Sequence, residues 1–383
     1  MSIAIVIPQG LFKTTGELLS IIILQFVDVN DPADYRRNLL PYLFYLEEDE
    51  AGPDPLQIAR QFGIPEERMI VLSRNENPYG PSPRVPEALR NAQLNRYPDS
   101  RPFLEALSRY TGCSRESIVT GAGMDEIITT ICRLFLMPGD RAFIPVPTYN
   151  VYGLATELCG AMPIYQPKAI GNDMVQDVPK GVKMVFLCSP NNPTGEVLTI
   201  ENVRAILEET DAIVFLDEAY IEFSEKSLIE LVSRHDNLVV GRTLSKAFAL
   251  AGMRLGYALA PSWIAEQYRR VAPMFSISSA SLAAGVAALQ DLAWMRECTG
   301  KIIAERERMK KRISSFLPSQ GNFLYLKTHD RSKDVARRLH LRGIIVRDCS
   351  IFHGCGEHAL RVTVGLPEEN ERFMDEFERA DGP

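Results

Sequence analysis

The chain has 383 residues, of which 46% are hydrophobic and 24% are charged. This composition is typical of a globular protein and excludes a disordered one. A chain of this length exceeds what one hydrophobic core usually accommodates, so two packed domains are expected. The formal net charge of −7 argues against a nucleic-acid-binding surface, which needs clustered excess Lys and Arg.

The first apolar stretch, residues 18–29, is far shorter than the ~20 residues that span a bilayer. It also lacks the small-residue cleavage site of a signal peptide. We therefore predict no membrane attachment and interpret residues 1–30 as an N-terminal arm of unknown role, packed on the protein or swapped across a dimer. A misassigned start codon is the alternative.

The seven cysteines are scattered along the chain, and no CxxC pair occurs among them. A chain of this size does not need disulfides to stabilise it. This usage favours reduced thiols and a cytoplasmic location.

The middle of the chain alternates short apolar runs with amphipathic stretches. The proline-rich residues 77–86 predict a linker with a fixed backbone. The alternation beyond it predicts βαβ units and a mostly parallel sheet, whose ligand lies past the carboxyl ends of the strands. The predicted helices include 125–136 and 201–209, and the predicted strands are 117–120, 141–145, 162–165, 183–188, 212–216, 237–240 and 255–260.

The pattern changes after Pro261 to one dominated by helices. Helical periodicity is followed by short strands and one more helix, which predicts a smaller α+β domain completed by residues before Arg74. The predicted helices are 262–271, 280–291, 295–316 and 332–341, and the strands are 323–326, 344–347 and 361–364. The expected organisation is an arm at 1–30, small-domain residues at 31–75, a large domain at 76–270 and the remaining small domain at 271–383.

Lys246 follows one predicted strand and precedes an apolar stretch. Desolvation there lowers the pKa of the amine and favours the neutral form that attacks a carbonyl. Thr243, Ser245 and Arg254 are close in sequence, so two hydroxyls and a guanidinium could bind one phosphate. Pairing of the Lys and Arg with carboxylates is the alternative.

Asp217 ends another hydrophobic strand, where an unpaired carboxylate is costly. The protonated pyridine nitrogen of a bound ligand is a suitable partner. Asp217 would keep that nitrogen protonated, so that the ligand's ring could accept electrons from a carbanion. Tyr220, three residues later, could donate to a phenolic oxygen on the same ring. An Asp that caps the next helix is the alternative.

Three further segments follow predicted strands. Residues 188–195 (CSPNNPTG) form a rigid turn that presents the amide of Asn192. Residues 120–126 (TGAGMDE) join a glycine-rich turn to a helix N-terminus, which can present backbone N–H groups to a phosphate. Tyr149 could stack on an aromatic ring.

The motifs SPNNPTG, FLDEAY and TLSKAFALAGMRLGY occur in the order and spacing of fold-type I aminotransferases of class I and II. The resemblance extends from about Leu72 to the C-terminus. It implies an α/β fold with a mostly parallel central sheet in a large domain, a smaller α+β domain, and pyridoxal 5'-phosphate (PLP) as coenzyme. Lys246 then resembles the Schiff-base lysine, Asp217 the partner of the ring nitrogen, Asn192 and Tyr220 the ligands of the phenolic oxygen, and Tyr149 the ring-stacking aromatic residue.

The same resemblance implies how the coenzyme phosphate is held. Its ligands are the backbone at Gly123, Met124 and Asp125 and the side chains of Thr243, Ser245 and Arg254. Tyr97, in NRYP, resembles the tyrosine that reaches the phosphate of the neighbouring subunit, which implies a homodimer with shared active sites. Met124 departs from the small polar residue usual at its position, and residues 1–30 do not resemble the family.

Within this group, LSRNENPYGPSP at 72–83, LNRYPD, DEAYIEFS and SKAFALAG resemble motifs of histidinol-phosphate aminotransferases. By this resemblance Arg347 and Arg361 hold the anionic end of the substrate, and Tyr79 and Asn322 approach it. Two guanidiniums fit a phosphate dianion better than a lone carboxylate. Pairing of either arginine with a surface carboxylate is the alternative.

The reaction implied is reversible transamination between histidinol phosphate and 2-oxoglutarate, giving imidazole acetol phosphate and glutamate, in histidine biosynthesis. An aromatic-amino-acid aminotransferase and a threonine-phosphate decarboxylase are the alternatives, together with a non-catalytic PLP-fold protein. No metal is expected, because the candidates at 352–358 (His353, Cys355 and His358) lack the paired spacing of zinc ligands.

Overall fold

The computed structural model describes residues 39–40, 42–43, 52–170 and 178–381. The arm predicted at 1–30 lies outside these residues. The chain divides into two compact units, Met1–Glu48 and Asp49–Pro383, and the fold is that of the second unit.

Eleven strands and eleven α-helices are described in this unit. The strands are β1 (Ile70–Leu72), β2 (Ile118–Ala122), β3 (Arg141–Val146), β4 (Met162–Pro167), β5 (Met184–Cys188), β6 (Ile213–Asp217), β7 (Leu238–Thr243), β8 (Leu255–Leu259), β9 (Phe323–Lys327), β10 (Ile344–Asp348) and β11 (Ala359–Thr363). The helices are α1 (Pro55–Phe62), α2 (Val85–Arg90), α3 (Arg101–Thr111), α4 (Met124–Phe135), α5 (Val151–Glu157), α6 (Ile200–Glu209), α7 (Ser262–Val271), α8 (Ser279–Leu289), α9 (Leu292–Arg312), α10 (Ser332–His340) and α11 (Pro367–Ala380). Within the described ranges, no helix is long and apolar enough to cross a membrane.

Seven strands form the larger sheet in the order β2-β8-β7-β6-β5-β3-β4. Strands β3 to β7 are parallel to one another, and β8 is antiparallel to β2 and β7. Both faces are covered: Val214 and Leu216 of β6 pack in one core, and Ile213 and Phe215 pack in another. Because β6 is buried on both sides, its residues before Asp217 are all apolar rather than alternating. The predicted α/β class with a mostly parallel sheet is confirmed.

The register of the central strands determines where the functional residues meet. Cys188 at the end of β5 lies opposite Asp217 at the end of β6, and Asp217 lies opposite Gly241 of β7. The carboxyl ends of all three strands therefore share one edge of the sheet, where ligands bind in folds of this kind.

A second sheet has the order β1-β10-β11-β9. Strand β1 is parallel to β10, and the other two pairs are antiparallel. The segment before Arg74 thus joins strands from the last quarter of the chain in one sheet. The exact domain boundaries stay a prediction.

Close packing of two glycines fixes the turn between β2 and α4. Gly123 has a φ of +88°, which favours glycine. A Cβ added to Gly256 of β8 would lie 2.5 Å from the carbonyl carbon of Gly123. The turn therefore lies directly on β8, and this contact sets the position of the N-terminus of α4.

We predict that Gly256→Ala lowers the free energy of unfolding by about 1–3 kcal/mol, the usual cost of overpacking. Gly300→Ala is the matched control, because Gly300 is exposed in α9 and an added Cβ there meets no atom within 4 Å. The control should gain about 0.5–1 kcal/mol from helix propensity. Urea unfolding measures both, and equal stability of Gly256→Ala and wild type would contradict the packing argument.

Candidate active site

One cavity of about 510 Å³ lies at the carboxyl ends of β5, β6 and β7. It brings together most of the residues that the sequence singled out from separate segments. The predicted residues that line it are Met124, Asp125, Tyr149, Asn192, Asp217, Tyr220, Thr243, Ser245, Lys246, Arg254, Arg347 and Arg361. Convergence of polar groups in one concave site is typical of a catalytic centre.

Lys246 follows β7, and its amine is half-buried in the cavity wall. Its Nζ donates to the carbonyl of Arg74 at 3.1 Å. Burial lowers the pKa of Lys246 to about 8, and the positive charge of Arg361 acts in the same direction. The amine is therefore partly neutral near physiological pH, as a nucleophile or a base requires.

Asp217 is buried at the end of β6. Its carboxylate accepts hydrogen bonds from the Tyr152 hydroxyl at 2.7 Å and from the Ala219 N–H at 2.9 Å. Among the residues that the structure describes, no Lys, Arg or His forms an ion pair with it. Burial accordingly raises the pKa of Asp217 to about 6. A carboxylate in this environment is suited to a cationic ligand in the cavity.

Tyr220 and Asn192 are both buried, and each contacts the smaller sheet or the chain that leads from it. The Tyr220 hydroxyl accepts a hydrogen bond from Asn75 Nδ2 at 3.0 Å. Asn192 Oδ1 accepts one from Arg361 Nη1 at 2.5 Å. The Tyr220 hydroxyl oxygen and Asn192 Oδ1 thus both accept hydrogen bonds from protein side chains. The Tyr220 O–H and the Asn192 N–H groups remain as donors.

Tyr149 is half-buried in the wall of the cavity. Its hydroxyl donates to Asp125 Oδ1 at 3.1 Å, and its ring meets the ring of Tyr152 edge to face at 5.7 Å. These two contacts hold the ring in a defined orientation. The predicted ring-stacking role of Tyr149 stays a prediction.

The first turn of α4, Thr243, Ser245 and Arg254 form a site that we call the anion cup. The N–H groups in the first turn of a helix have no acceptor within that helix, and the dipole there favours an anion. Arg254 approaches so closely that a Cβ added to Gly123 would lie 2.5 Å from its Nη2. Its Nη2 also donates to Asp125 Oδ2 at 3.0 Å. The cup therefore combines a helix N-terminus with a guanidinium and two hydroxyls.

Arg347 and Arg361 occupy opposed positions on β10 and β11. Arg361 is buried, and its Nη2 donates to the Ser73 carbonyl at 2.5 Å. Phe352 packs between the two guanidiniums, with its ring centroid 5.9 Å from Arg347 and 6.0 Å from Arg361. Two adjacent cations supply a second anion-binding region in the same cavity.

Four of the predicted residues do not line the cavity. One is Gly123, which lies in the turn before α4 where Arg254 approaches it. Tyr97 is 82% exposed and stacks on Phe275 at 4.6 Å. Tyr79 packs under the amine of Lys301 at 5.2 Å. Asn322 is buried behind the wall, where its Nδ2 donates to the carbonyl of Asn75 at 3.0 Å.

The site also contains residues that the sequence did not single out. Asn75 and Phe352 line the cavity, and Tyr152 contacts Asp217 from behind. Tyr152 lies in the first turn of α5, and an aromatic residue there is typical of ordinary core packing. Asn75 stands in NENPYG, and only its contacts in the fold distinguish it from the neighbouring polar residues.

The candidate metal ligands at 352–358 have other partners. The ring of His353 stacks on Tyr165 at 4.3 Å, and His358 Nδ1 lies 3.0 Å from the Asp330 carbonyl. Across the described part of the chain, no group of three or more His, Cys, Asp or Glu could hold a metal ion.

Lys246 is expected to react with a neutral acylating reagent at lower pH than exposed lysines do. Its pKa is about 8, whereas the hydrogen bond that Lys301 donates to Glu297 raises the pKa of the exposed Lys301 above its ordinary value. Labelling of the coenzyme-free protein at a series of pH values, read by peptide mass spectrometry, compares the two. Identical pH midpoints would contradict the desolvation of Lys246.

Asp217→Asn should stabilise the coenzyme-free protein increasingly as pH rises. The pKa of Asp217 is raised on folding from 3.8 to about 6, so stability is lost as pH rises through this window, by about 3 kcal/mol in total. Asn cannot ionise, and the advantage of the variant should grow by ~1 kcal/mol between pH 5 and pH 8. Urea unfolding at both pH values tests this, and a constant difference would count against it.

Comparison with known proteins places this site in a family. Residues 67–377 match the family model for aminotransferase class I and II. The chain is 41% identical over 356 residues to the histidinol-phosphate aminotransferase of Methanosarcina mazei, covering 90% of this chain and 97% of the relative. It is also 41% identical over 317 residues to histidinol-phosphate aminotransferase 1 of Archaeoglobus fulgidus, covering 80% of this chain and 98% of the relative.

A solved structure agrees with these relatives. The histidinol-phosphate aminotransferase from Sinorhizobium meliloti, in complex with pyridoxal-5'-phosphate, matches with a TM-score of 0.79 at 25% identity, covering 89% of this chain and 97% of that chain. The match of the family model over most of the chain, together with these relatives, shows that the chain belongs to the class I and II aminotransferase family.

Proposed function

We propose that the chain binds PLP on Lys246 and transfers the amino group between histidinol phosphate and 2-oxoglutarate, giving imidazole acetol phosphate and glutamate in histidine biosynthesis. The relatives from M. mazei and A. fulgidus carry the name of this activity. The observation that carries the proposal is a single cavity with three features. It contains a lysine of lowered pKa, a buried carboxylate and two separate anion-binding regions.

The donor groups of the cavity fit this coenzyme. The anion cup suits its phosphate, because a helix N-terminus and Arg254 both favour an anion. The unneutralised carboxylate of Asp217 suits its ring nitrogen. The free donors of Tyr220 and Asn192 suit its phenolic oxygen. These groups line one cavity with Lys246.

PLP supplies an aldehyde and a ring that withdraws electrons from the substrate carbon that loses its proton. With the coenzyme bound, Lys246 Nζ would take that proton from the substrate α carbon as a base and return it to the coenzyme as an acid. A pKa near 8 suits both roles, since the amine exchanges a proton readily near neutral pH. Asp217 holds the proton on the ring nitrogen through a charge-assisted hydrogen bond.

We propose that Arg361 and Arg347 bind the anionic end of each substrate. Histidinol phosphate presents a dianion there, and 2-oxoglutarate presents a carboxylate, so the same region accepts both. The opposed positions on β10 and β11 favour a phosphate over an uncharged aromatic ring. The negative charge of its phosphate distinguishes histidinol phosphate from the substrates of an aromatic-amino-acid aminotransferase, whose side chains are uncharged rings.

Arg347→Gln should raise KM for histidinol phosphate by about 10- to 100-fold, as expected from the loss of a charge-assisted contact. The kcat should change much less, because Arg347 lies at the anionic end rather than beside Lys246. Arg342→Gln is the control, since Arg342 pairs with Glu376 on the surface outside the cavity. Steady-state kinetics distinguish these variants, and an unchanged KM in Arg347→Gln would remove Arg347 from the substrate site.

We further propose a homodimer with shared active sites in the cytoplasm. The support is that Tyr97 projects from the surface and Tyr79 lies outside the cavity of its own chain. The free cysteines agree with a reducing compartment. In this arrangement Tyr97 of one chain reaches the coenzyme phosphate held by the other.

Mixing Tyr97→Phe and Lys246→Ala chains tests the sharing. Each variant alone should be impaired, and a hybrid dimer should regain one intact site and therefore part of the activity. Native mass spectrometry verifies that hybrids have formed. Verified hybrids without regained activity would contradict shared sites.

The decisive experiment for the function is to assay the PLP-loaded protein, with 2-oxoglutarate as acceptor, with three amino donors: histidinol phosphate, phosphothreonine and phenylalanine. The proposal predicts rapid formation of glutamate from histidinol phosphate and 2-oxoglutarate, with phenylalanine slow. Release of carbon dioxide from phosphothreonine would instead identify a threonine-phosphate decarboxylase. A preference for phenylalanine would overturn the role proposed for Arg347.

A further inference from the structure

The chain from residue 73 to residue 77, between β1 and α2, passes along the wall of the cavity. Three successive backbone carbonyls in this segment accept hydrogen bonds from site side chains. The pairs are Ser73 with Arg361, Arg74 with Lys246, and Asn75 with Asn322. This segment therefore contacts both the lysine and the substrate-binding strand β11.

Asn75 is buried at the centre of this segment, with a φ of +53°. Asn tolerates this left-handed conformation better than most residues do. Its backbone N–H donates to Thr363 Oγ1 at 2.9 Å, and Thr363 Oγ1 lies 3.1 Å from Asn75 Oδ1. Because the hydroxyl oxygen accepts from the N–H, its single proton is free to donate to Oδ1.

This pairing fixes the orientation of the Asn75 amide. With Oδ1 bound to Thr363, Nδ2 faces Tyr220 and donates to its hydroxyl at 3.0 Å. A tyrosine hydroxyl has one proton, so a hydroxyl that accepts from Asn75 keeps its proton for another acceptor. Since Tyr220 lines the cavity, that proton is available to a ligand there.

We propose that Asn75 and Thr363 are positioning residues that set the Tyr220 hydroxyl as a hydrogen-bond donor to the phenolic oxygen of the coenzyme. The inference rests on the proposed binding of PLP. Thr363 and Arg361 lie two residues apart on β11, so one strand sets the donor direction of both Tyr220 and Asn192.

Burial is the main effect that keeps the proton on Tyr220. Arg361, Asp217 and Cys188 act on it electrostatically, and Lys246 Nζ lies 5.6 Å from the centre of its ring. Burial raises the pKa of Tyr220 to about 12, although Arg361 and the hydrogen bond from Asn75 oppose this rise. Tyr220 therefore stays protonated between pH 5 and pH 10, and any titration in that range belongs to another group.

The test uses the full-length protein loaded with PLP and follows the pH midpoint of its visible absorbance band. A donor to the phenolic oxygen stabilises the anionic form of that oxygen, so loss of the donor should raise the midpoint. Asn75→Asp should raise it by about one pH unit, because a carboxylate accepts the Tyr220 proton and turns it away from the cavity. Asn75→Gly keeps the left-handed backbone and should give a smaller rise.

Thr363 provides the second pair of variants. Thr363→Val keeps the side-chain volume but removes the hydroxyl, so the midpoint should rise in the same direction. Thr363→Ser restores the hydroxyl and should leave the midpoint at the wild-type value. If Asn75→Asp does not fold, the pH midpoint of Thr363→Val alone decides the test.

Asn370→Ala is the control for a merely structural effect. It removes the buried hydrogen bonds between α11 and Gly365, away from the cavity, and should lower thermal stability without moving the midpoint. Unchanged midpoints in Asn75→Asp and Thr363→Val, beside a normal band in wild type, would overturn the inference alone. Absence of the band in wild type would overturn the coenzyme proposal and this inference with it.

Discussion

The buried carboxylate of Asp217 is the constraint on which the site depends. Two hydrogen bonds from the protein hold it at the end of β6, yet no cation among the described residues neutralises it. The parallel register sets this group between the turn after β5 and the lysine after β7. The fold thus keeps an unfavourable group in a position where a cationic ring can compensate it.

Two anion-binding regions flank this carboxylate in a single cavity. The anion cup belongs to the larger sheet, because α4 begins directly after β2 and Gly256 fixes its approach. The arginine pair belongs to the smaller sheet. The 73–77 segment contacts residues of both sheets, and its carbonyls bind both Lys246 and Arg361. The relative position of the two sheets therefore controls the distance between the anion cup and the arginine pair.

Much of the fold follows from local pattern. The seven strands of the larger sheet were predictable to within a few residues. The central strands β5, β6 and β8 are buried throughout, and such burial leaves few polar residues in them. Other boundaries were wrong. The linker predicted to end at residue 86 ends earlier, since Val85 and Pro86 begin α2, where proline is tolerated in the first turn. The helix predicted at 295–316 ends at Arg312 although apolar residues continue.

The residues of the candidate site likewise include some that were predictable from the sequence and some that were not. The placement of Lys246, Asp217 and Asn192 in one cavity was predictable, because each lies at or just after the carboxyl end of a strand of the larger sheet. Asn75 and Tyr152 were not, because their partners Thr363 and Asp217 lie far away in sequence. Tyr97 and Tyr79 lie outside the cavity of this chain, and their sequence motifs did not reveal this placement.

A crystal structure of the protein with PLP tests the central claim most directly, because the cavity offers two places for a phosphate. The account predicts the phosphate in the anion cup, the coenzyme joined to Lys246, and the ring nitrogen about 3 Å from the carboxylate of Asp217. A phosphate bound instead between Arg347 and Arg361, with the ring nitrogen away from Asp217, would contradict it.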